Sequence, residues 1–419
     1  MKTAAESLQA HPLSDVTATS KWHSLREIGD QSLVFISQIV LNASFFLLML
    51  LASMWLDPSE FLKLSFANSS IPLIAAALDL GMSQSCLALS FEHKKHDYIA
   101  LNLAIKGVII AVAFAALILS LLVSGPSLEI ILALAAASMS FWTATRAVEQ
   151  YARRFRRYSL LNIALAATRI IFGFAAIIYG GWVALIVAIY VLAQLPIQIV
   201  TLSQSTYLRF GSINWRALHA VMRMAPITFL ARILYLALPL LTLWLLNSDG
   251  NTLSAAAFSV VLMFLVPLDL LFATLKVYIF PKIVESEFKN IDLFGFGQRS
   301  MYLIMAGLSV MLAIGIVPAS LVIDYLYEAR FPDAGTFFMT YFSCYAVSCV
   351  IGLYTVRSQR PGFVRLSLLA NILRAAATAV LMFIPALNPH QIVLWSGIII
   401  VSGELILTAL LMRAAQTDH

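Results

Sequence analysis

Residues 99–124 read IALNLAIKGVIIAVAFAALILSLLVS, and this stretch decides the fold class. Its only charged residue is Lys106. A helix needs about 20 predominantly apolar residues to cross a bilayer. The strands of a membrane barrel would instead alternate between apolar and polar residues. The stretch therefore predicts a transmembrane α-helix, since lipid offers no hydrogen-bond partner to an open strand edge.

Similar apolar stretches recur along the whole chain of 419 residues. Hydrophobic residues make up 61% of it and charged residues 11%, whereas soluble domains average about 45–50% and about 25%. This composition excludes a soluble enzyme, a disordered chain and a disulfide-stapled secreted module. We predict an all-α polytopic membrane protein with about twelve transmembrane helices in two six-helix pseudo-repeat bundles. The predicted spans are 33–56, 61–90, 99–124, 127–147, 158–180, 182–203, 223–246, 253–280, 300–323, 335–356, 363–385 and 391–412.

The loops between these spans alternate in charge. One set of loops, together with the two tails, holds 21 of the 27 basic residues. The other set carries mainly acids, such as Asp57, Asp249 and Asp324. Positively charged loops remain on the cytoplasmic side of a membrane. The alternation therefore predicts that both termini are cytoplasmic.

A short repeat suggests two halves of similar design. Leu78-Asp79-Leu80 lies in the second span of the first half, and Leu268-Asp269-Leu270 lies in the second span of the other. Parallel repeats of this kind are common in transporters, which handle substrate between the halves. The expected division is a cytoplasmic tail (1–32), a six-helix bundle (33–203), an amphipathic cytoplasmic linker (204–222), a second six-helix bundle (223–412) and a cytoplasmic tail (413–419).

Seven charged residues lie in the interior of the predicted spans, more than four residues from either end. Each costs about 2.5–3.5 kcal/mol near the centre of a membrane helix, so they should face the bundle interior. Cations outnumber acids, which favours an anionic substrate such as a lipid pyrophosphate. The alternative is that they form structural pairs, such as Asp79 with Lys106. The candidate substrate-binding residues are Lys106, Arg169, Arg232 and Arg374, and the candidate gating or ion-coupling residues are Asp79, Asp269 and Glu404.

No sequence motif points to catalysis or to a cofactor. His93 and His96 form an H-x-x-H pair in a basic loop, which alone is a weak metal signal. The chain lacks the G-x-x-x-x-G-K-S/T motif of ATP-driven pumps. We expect no catalytic residue, no cofactor, no metal and no nucleic-acid partner.

Three stretches carry a resemblance to a known family. At Leu78-Asp-Leu-Gly-Met-Ser83, Arg153-Arg-Phe-Arg-Arg-Tyr-Ser-Leu-Leu-Asn162 and Phe280-Pro-Lys-Ile283, the chain resembles the polysaccharide transport family. These are the Wzx-type flippases of lipid-linked oligosaccharides, in the multidrug/oligosaccharidyl-lipid/polysaccharide exporter superfamily. The resemblance implies two bundles around a V-shaped cavity that contains cationic residues.

Membership would also imply a function and a location. Such a protein moves an undecaprenyl-pyrophosphate-linked repeat unit of O-antigen, capsule or exopolysaccharide across the bacterial inner membrane by alternating access. The lipid-linked oligosaccharide, the bilayer, and polysaccharide polymerase and chain-length proteins are its implied partners. The expected function is therefore that of a flippase and not of an enzyme.

Two other functions remain open. A multidrug or metabolite exporter of the same superfamily would share the fold, and acids in its cavity would bind cationic drugs. A membrane polysaccharide polymerase or ligase also handles lipid pyrophosphates. Those enzymes usually need a sizeable outer loop, and the longest one here is about a dozen residues, at 324–335.

Overall fold

A computed structural model describes the backbone of residues 14–417 except 94–96, 124, 126, 204–214, 249–250, 286–296, 360–362 and 385–386. Side chains are described from residue 32 onward, with further gaps at 202–203, 215, 270, 273–285, 297–304, 308, 359 and 415–417.

All regular structure in the described residues is helical. Runs of apolar residues form these helices because a helix satisfies its own backbone groups in lipid. The helices are α1 (Ser14–Trp55), α2 (Pro58–Asp79), α3 (Met82–His93), α4 (Asp97–Val123), α5 (Leu128–Tyr151), α6 (Phe155–Tyr179), α7 (Gly181–Val187), α8 (Leu195–Ser203), α9 (Trp215–Ser248), α10 (Thr252–Glu285), α11 (Gly297–Tyr327), α12 (Ala334–Thr355), α13 (Val364–Leu381) and α14 (Pro389–Thr417).

Twelve helical segments of the described chain are long and apolar enough to cross a membrane. This confirms the predicted fold class and the even number of spans. The sixth span, Gly181–Thr201, joins α7 to α8 through a turn of π-helix at Ala188–Leu192. The structure is that of a multi-pass membrane protein.

The second predicted span, 61–90, is interrupted in the structure. The break between α2 and α3 falls at Leu80 and Gly81, which have φ angles of 48° and 74°. A Cβ atom on Gly81 would overlap with the Ala225 carbonyl oxygen and the Thr228 hydroxyl of α9. Glycine is needed here because it adopts positive φ without strain and lets α9 approach its backbone.

Parts of the segments predicted as tails and linker are helical in the structure. Residues 14–32 belong to α1, and 413–417 continue α14. Residues 215–222 of the predicted linker form the first turns of α9, whereas 204–214 lie outside the described residues. A helix that has already been nucleated extends at little cost, which explains why α9 begins before its apolar core. The domain boundaries stay predictions.

Packing between helices divides largely along the two halves of the chain. In the first half, α1 packs on α6, and α5 packs on α2 and α4. In the second half, α9 packs on α13, and α12 packs on α10, α11 and α14. The halves meet where α1, α2 and α3 contact α9 and α10.

Arg330, in the turn between α11 and α12, adds another contact between the two halves. Its guanidinium donates hydrogen bonds to the carbonyl oxygens of Ser53, at 2.8 Å, Met54, at 2.5 Å, and Leu56. These carbonyls are at the C-terminal end of α1, where helix carbonyls lack intrahelical partners. The Ser53 and Tyr327 hydroxyls are also 2.8 Å apart. A basic residue of the second half thus caps a helix of the first.

Candidate functional site

A cavity that contains predicted site residues lies within the second half of the chain. It has a volume of about 310 Å³ and lies among α9, α10, α12 and α14. Tyr235, Phe272 and Tyr345 line it together with two acids, Asp269 and Glu404. We call it the tyrosine cavity. Ligand sites typically start at about 300 Å³ and combine apolar walls with a few polar groups, as this cavity does.

A second cavity adjoins the first. It has a volume of about 190 Å³ and is lined by Arg232 and Arg374, among other residues. We call it the arginine cavity. Tyr235 and Glu404 line both cavities and so form part of the wall between them.

Asp269 lies at the wall of the tyrosine cavity with a tyrosine beside it. The Tyr345 hydroxyl donates a hydrogen bond to the Asp269 carboxylate. Tyr341 stacks near Tyr345 with ring centroids 6.3 Å apart, one helical turn away on α12. The carboxylate is therefore oriented within an aromatic wall.

Arg374 and Glu404 form a buried ion pair at the boundary between the two cavities. Arg374 Nη2 lies 2.8 Å from Glu404 Oε1. The Thr355 hydroxyl donates to Glu404 Oε2 at 2.8 Å, and Arg374 Nη1 donates to Asn371 Oδ1 at 2.5 Å. Ion pairing together with hydrogen bonding is what allows two charges to stay buried.

Arg232 differs from Arg374 in its exposure. About a third of its side chain is exposed (33%), and its Nη1 lies 3.8 Å from Asp79 Oδ2. Asp79 belongs to α2, in the first half of the chain, so this contact crosses between the halves. Arg232 therefore lines the arginine cavity and also approaches an acid of the other half.

Asp79 has a closer partner in Lys106. Lys106 Nζ lies 2.7 Å from Asp79 Oδ1, and its side chain has no exposed surface. The Ser83 hydroxyl also donates to Asp79 Oδ1. The structural pair considered from the sequence is confirmed, and Lys106 and Asp79 lie at neither cavity.

Arg169 lies apart from the other predicted site residues. It is buried against α1, where its Nη1 donates to the Leu41 carbonyl oxygen at 3.4 Å. Its guanidinium lies 5.7 Å from the centre of the Phe45 ring. It lines neither cavity. Of the four candidate substrate-binding residues, Arg232 and Arg374 lie together at the arginine cavity.

These placements change the charge argument made from the sequence. Lys106, Arg232 and Arg374 each lie beside an acid in the structure. The two cavities are lined by two of the cations, Arg232 and Arg374, and by two acids, Asp269 and Glu404, so the excess of cations counted along the chain is not present there. The charges at the two cavities therefore favour an anionic substrate less strongly than the charges counted along the sequence.

The aromatic wall was missed at the sequence level. Phenylalanine and tyrosine in the apolar spans were interpreted as packing residues. One signal was available, since Tyr341, Tyr345, Ser348 and Gly352 recur at spacings of three and four, which places them on one face of a helix. Among the described residues, which do not include His96, no group of three or more His, Cys, Asp or Glu side chains is placed to hold an ion.

Comparisons with known proteins identify the fold. No protein-family model matches the chain, and no curated protein sequence matches it. A solved multidrug resistance MATE family transporter of the MOP superfamily, in an outward-facing conformation, is 14% identical, with a TM-score of 0.66 over 93% of this chain and 96% of the other.

Two further solved structures agree. A MATE transporter of Vibrio cholerae has a TM-score of 0.68 at 12% identity over 93% of this chain and 97% of the other. A MOP superfamily transporter from Pyrococcus furiosus, described as having a binding pocket of reverse polarity that suggests a different function, has a TM-score of 0.67 at 13% identity over 93% and 96%. The chain has the twelve-helix fold of these MATE-type transporters.

Proposed function

We propose that this chain is an alternating-access transporter that exports organic cations or amphiphilic organic solutes. One observation carries the proposal, namely the aromatic and acidic lining of the tyrosine cavity. Aromatic rings attract organic cations through their faces, and the Asp269 carboxylate complements the charge. The fold supports the transport part of the proposal, because the structures that share it are transporters.

The charge pattern of the loops supports a location. We place the protein in the inner membrane of a bacterium with both termini in the cytoplasm, because the basic loops and tails fall on one side. Solute would enter the cavities from that side and leave on the other as the two halves rock. No chemical step is needed, so we assign no enzymatic activity.

Transport of a fluorescent cation tests the proposal. Proteoliposomes with the purified full-length protein should move ethidium faster than empty liposomes. Asp269→Asn should lose most of this movement, because the amide cannot neutralise a cation. The matched control is Glu328→Gln, which removes an exposed acid outside both cavities and should transport like the wild type. Equal transport by Asp269→Asn and the control would refute the role of the tyrosine cavity.

The flippase remains the second candidate function. The observation in its favour is Arg232, whose side chain is one-third exposed and lines the arginine cavity, where its guanidinium could bind a phosphate. In this case the substrate would be an undecaprenyl-pyrophosphate-linked oligosaccharide, and polysaccharide polymerase and chain-length proteins would be its partners.

Deletion of the gene in its native host separates the two functions. A flippase mutant would accumulate a complete lipid-linked unit and lose surface polysaccharide. An exporter mutant would keep both at normal levels and become more sensitive to cationic dyes. Lipid-linked units exposed on the outer face would instead indicate a polymerase or ligase.

A further inference from the structure

The Arg374–Glu404 pair is oriented with respect to the tyrosine cavity. Glu404 lines both cavities, whereas Arg374 lines only the arginine cavity. A solute in the tyrosine cavity therefore meets the carboxylate first, with the guanidinium behind it at 2.8 Å. The positive charge of Arg374 cancels the attraction that Glu404 alone would exert on a cation.

Arg374 is held in this position on several sides. Its guanidinium lies 5.6 Å from the centre of the Tyr235 ring and donates to Asn371. Gly403 has no side chain, and a Cβ atom there would overlap with Nε of Arg374. Only 3% of Arg374 is exposed. An acid beside an aromatic ring would suit an external cation, but here an internal one already occupies the position.

We propose that Arg374 is a specificity-determining residue that disfavours solutes with more than one positive charge. The inference rests on the proposed function. With Arg374 in place, Glu404 adds no net charge to the cavity wall. Without it, the wall gains one negative charge, and the extra attraction to a second positive charge on the solute is strong in a partly desolvated site.

Two phenanthridinium dyes test this inference, because ethidium carries one positive charge and propidium carries two. The readout is the ratio of their dissociation constants with the purified full-length protein in nanodiscs at pH 8.5. Wild type should prefer ethidium. Arg374→Gln should shift the ratio about tenfold toward propidium, a change of about 1.4 kcal/mol. Arg374→Lys should keep the wild-type ratio because it keeps the charge.

Two further variants keep the test decisive if Arg374→Gln does not fold. The double variant R374Q/E404Q removes both charges and should restore the wild-type ratio. Glu404→Gln alone leaves Arg374 without its acid and should shift the ratio toward ethidium. Because a ratio is measured only on folded protein, a lower yield does not alter it.

The outcomes distinguish the inference from the function on which it rests. If wild type binds ethidium but none of the charge-changing variants shifts the ratio, the specificity role is refuted and the exporter function stands. If neither dye binds wild type or any variant, both are refuted. If the ratio shifts in Arg374→Gln and in Glu404→Gln and has the wild-type value in R374Q/E404Q, the specificity role and the exporter function are both supported.

Discussion

Asp79 and Asp269 occupy equivalent places in the two halves of the chain but have different surroundings. Each is the centre of a Leu-Asp-Leu triplet in the second span of its half. Asp79 is 2.7 Å from a buried lysine and 3.8 Å from an arginine of the other half. Asp269 accepts a hydrogen bond from Tyr345 and lines a cavity.

The difference indicates that the two aspartates have different roles. Charge pairing at Asp79 joins α2, α4 and α9 and leaves only 3% of Asp79 exposed. The aromatic surroundings of Asp269 instead leave space beside a carboxylate. One sequence triplet thus supports packing in the first half and, on our proposal, binding in the second. Substitutions of Asp79, Asp269 and Arg330 test that interpretation.

The largest loss of stability is expected for Asp79→Asn. It leaves the ammonium of Lys106 buried without a counter-charge, which costs about 3–5 kcal/mol. We expect a marked fall in the thermal unfolding midpoint in detergent, with poor membrane yield. Replacing both partners, as in D79L/K106M, should recover much of the loss because no fully buried charge is left without a partner, the Arg232 side chain being one-third exposed. If Asp79→Asn is as stable as the wild type, charge pairing at Asp79 does not hold α2, α4 and α9 together.

A smaller loss of stability is expected for Arg330→Ala, at the contact between the α11–α12 turn and the end of α1. The change removes hydrogen bonds from a charged donor to three carbonyl oxygens at the end of α1. Because Arg330 is only half-buried, we expect a loss of about 1–2 kcal/mol. Arg330→Lys should retain part of the stabilisation, since an ammonium can still cap a helix C-terminus. Identical unfolding midpoints for Arg330→Ala and wild type would show that this contact does not stabilise the halves.

The smallest change in stability is expected for Asp269→Asn. The amide oxygen can still accept the Tyr345 hydrogen bond, so the free energy of unfolding should change by less than about 1 kcal/mol. Transport should nevertheless be lost, as described above. The check is thermal unfolding measured on the same preparation used for transport. A loss of stability as large as that of Asp79→Asn would remove the contrast between the halves.

The sequence predicted the spans well, because membrane insertion depends on local composition. The predicted span 127–147 corresponds to Leu128–Tyr151, and 335–356 corresponds to Ala334–Ser358. Agreement is poorer where polar residues extend a helix beyond the apolar core, as at the start of α9. The sequence also identified Arg232, Arg374 and Glu404, which the structure brings to adjoining cavities.

The sequence could not show which charges cancel. Arg169 and Arg374 look alike as single arginines in apolar spans, yet Arg374 contacts Glu404 of α14 and Arg169 contacts only a backbone carbonyl among the hydrogen bonds described. The tyrosines of α12 were also unremarkable until the fold placed them around Asp269. Both features depend on contacts between residues far apart in the chain.

By itself, the sequence determined that this protein is helical, crosses the membrane twelve times and carries charges within its spans. Lipid enforces these properties one segment at a time, because each span must be apolar and must satisfy its own backbone. The tertiary structure alone decided the partners of those charges and the polarity of the cavities. Charge pairing falls off with distance and needs direct contact to be strong. The packing of α9 on α2 sets that distance for Arg232 and Asp79, and the packing of α13 on α14 sets it for Arg374 and Glu404.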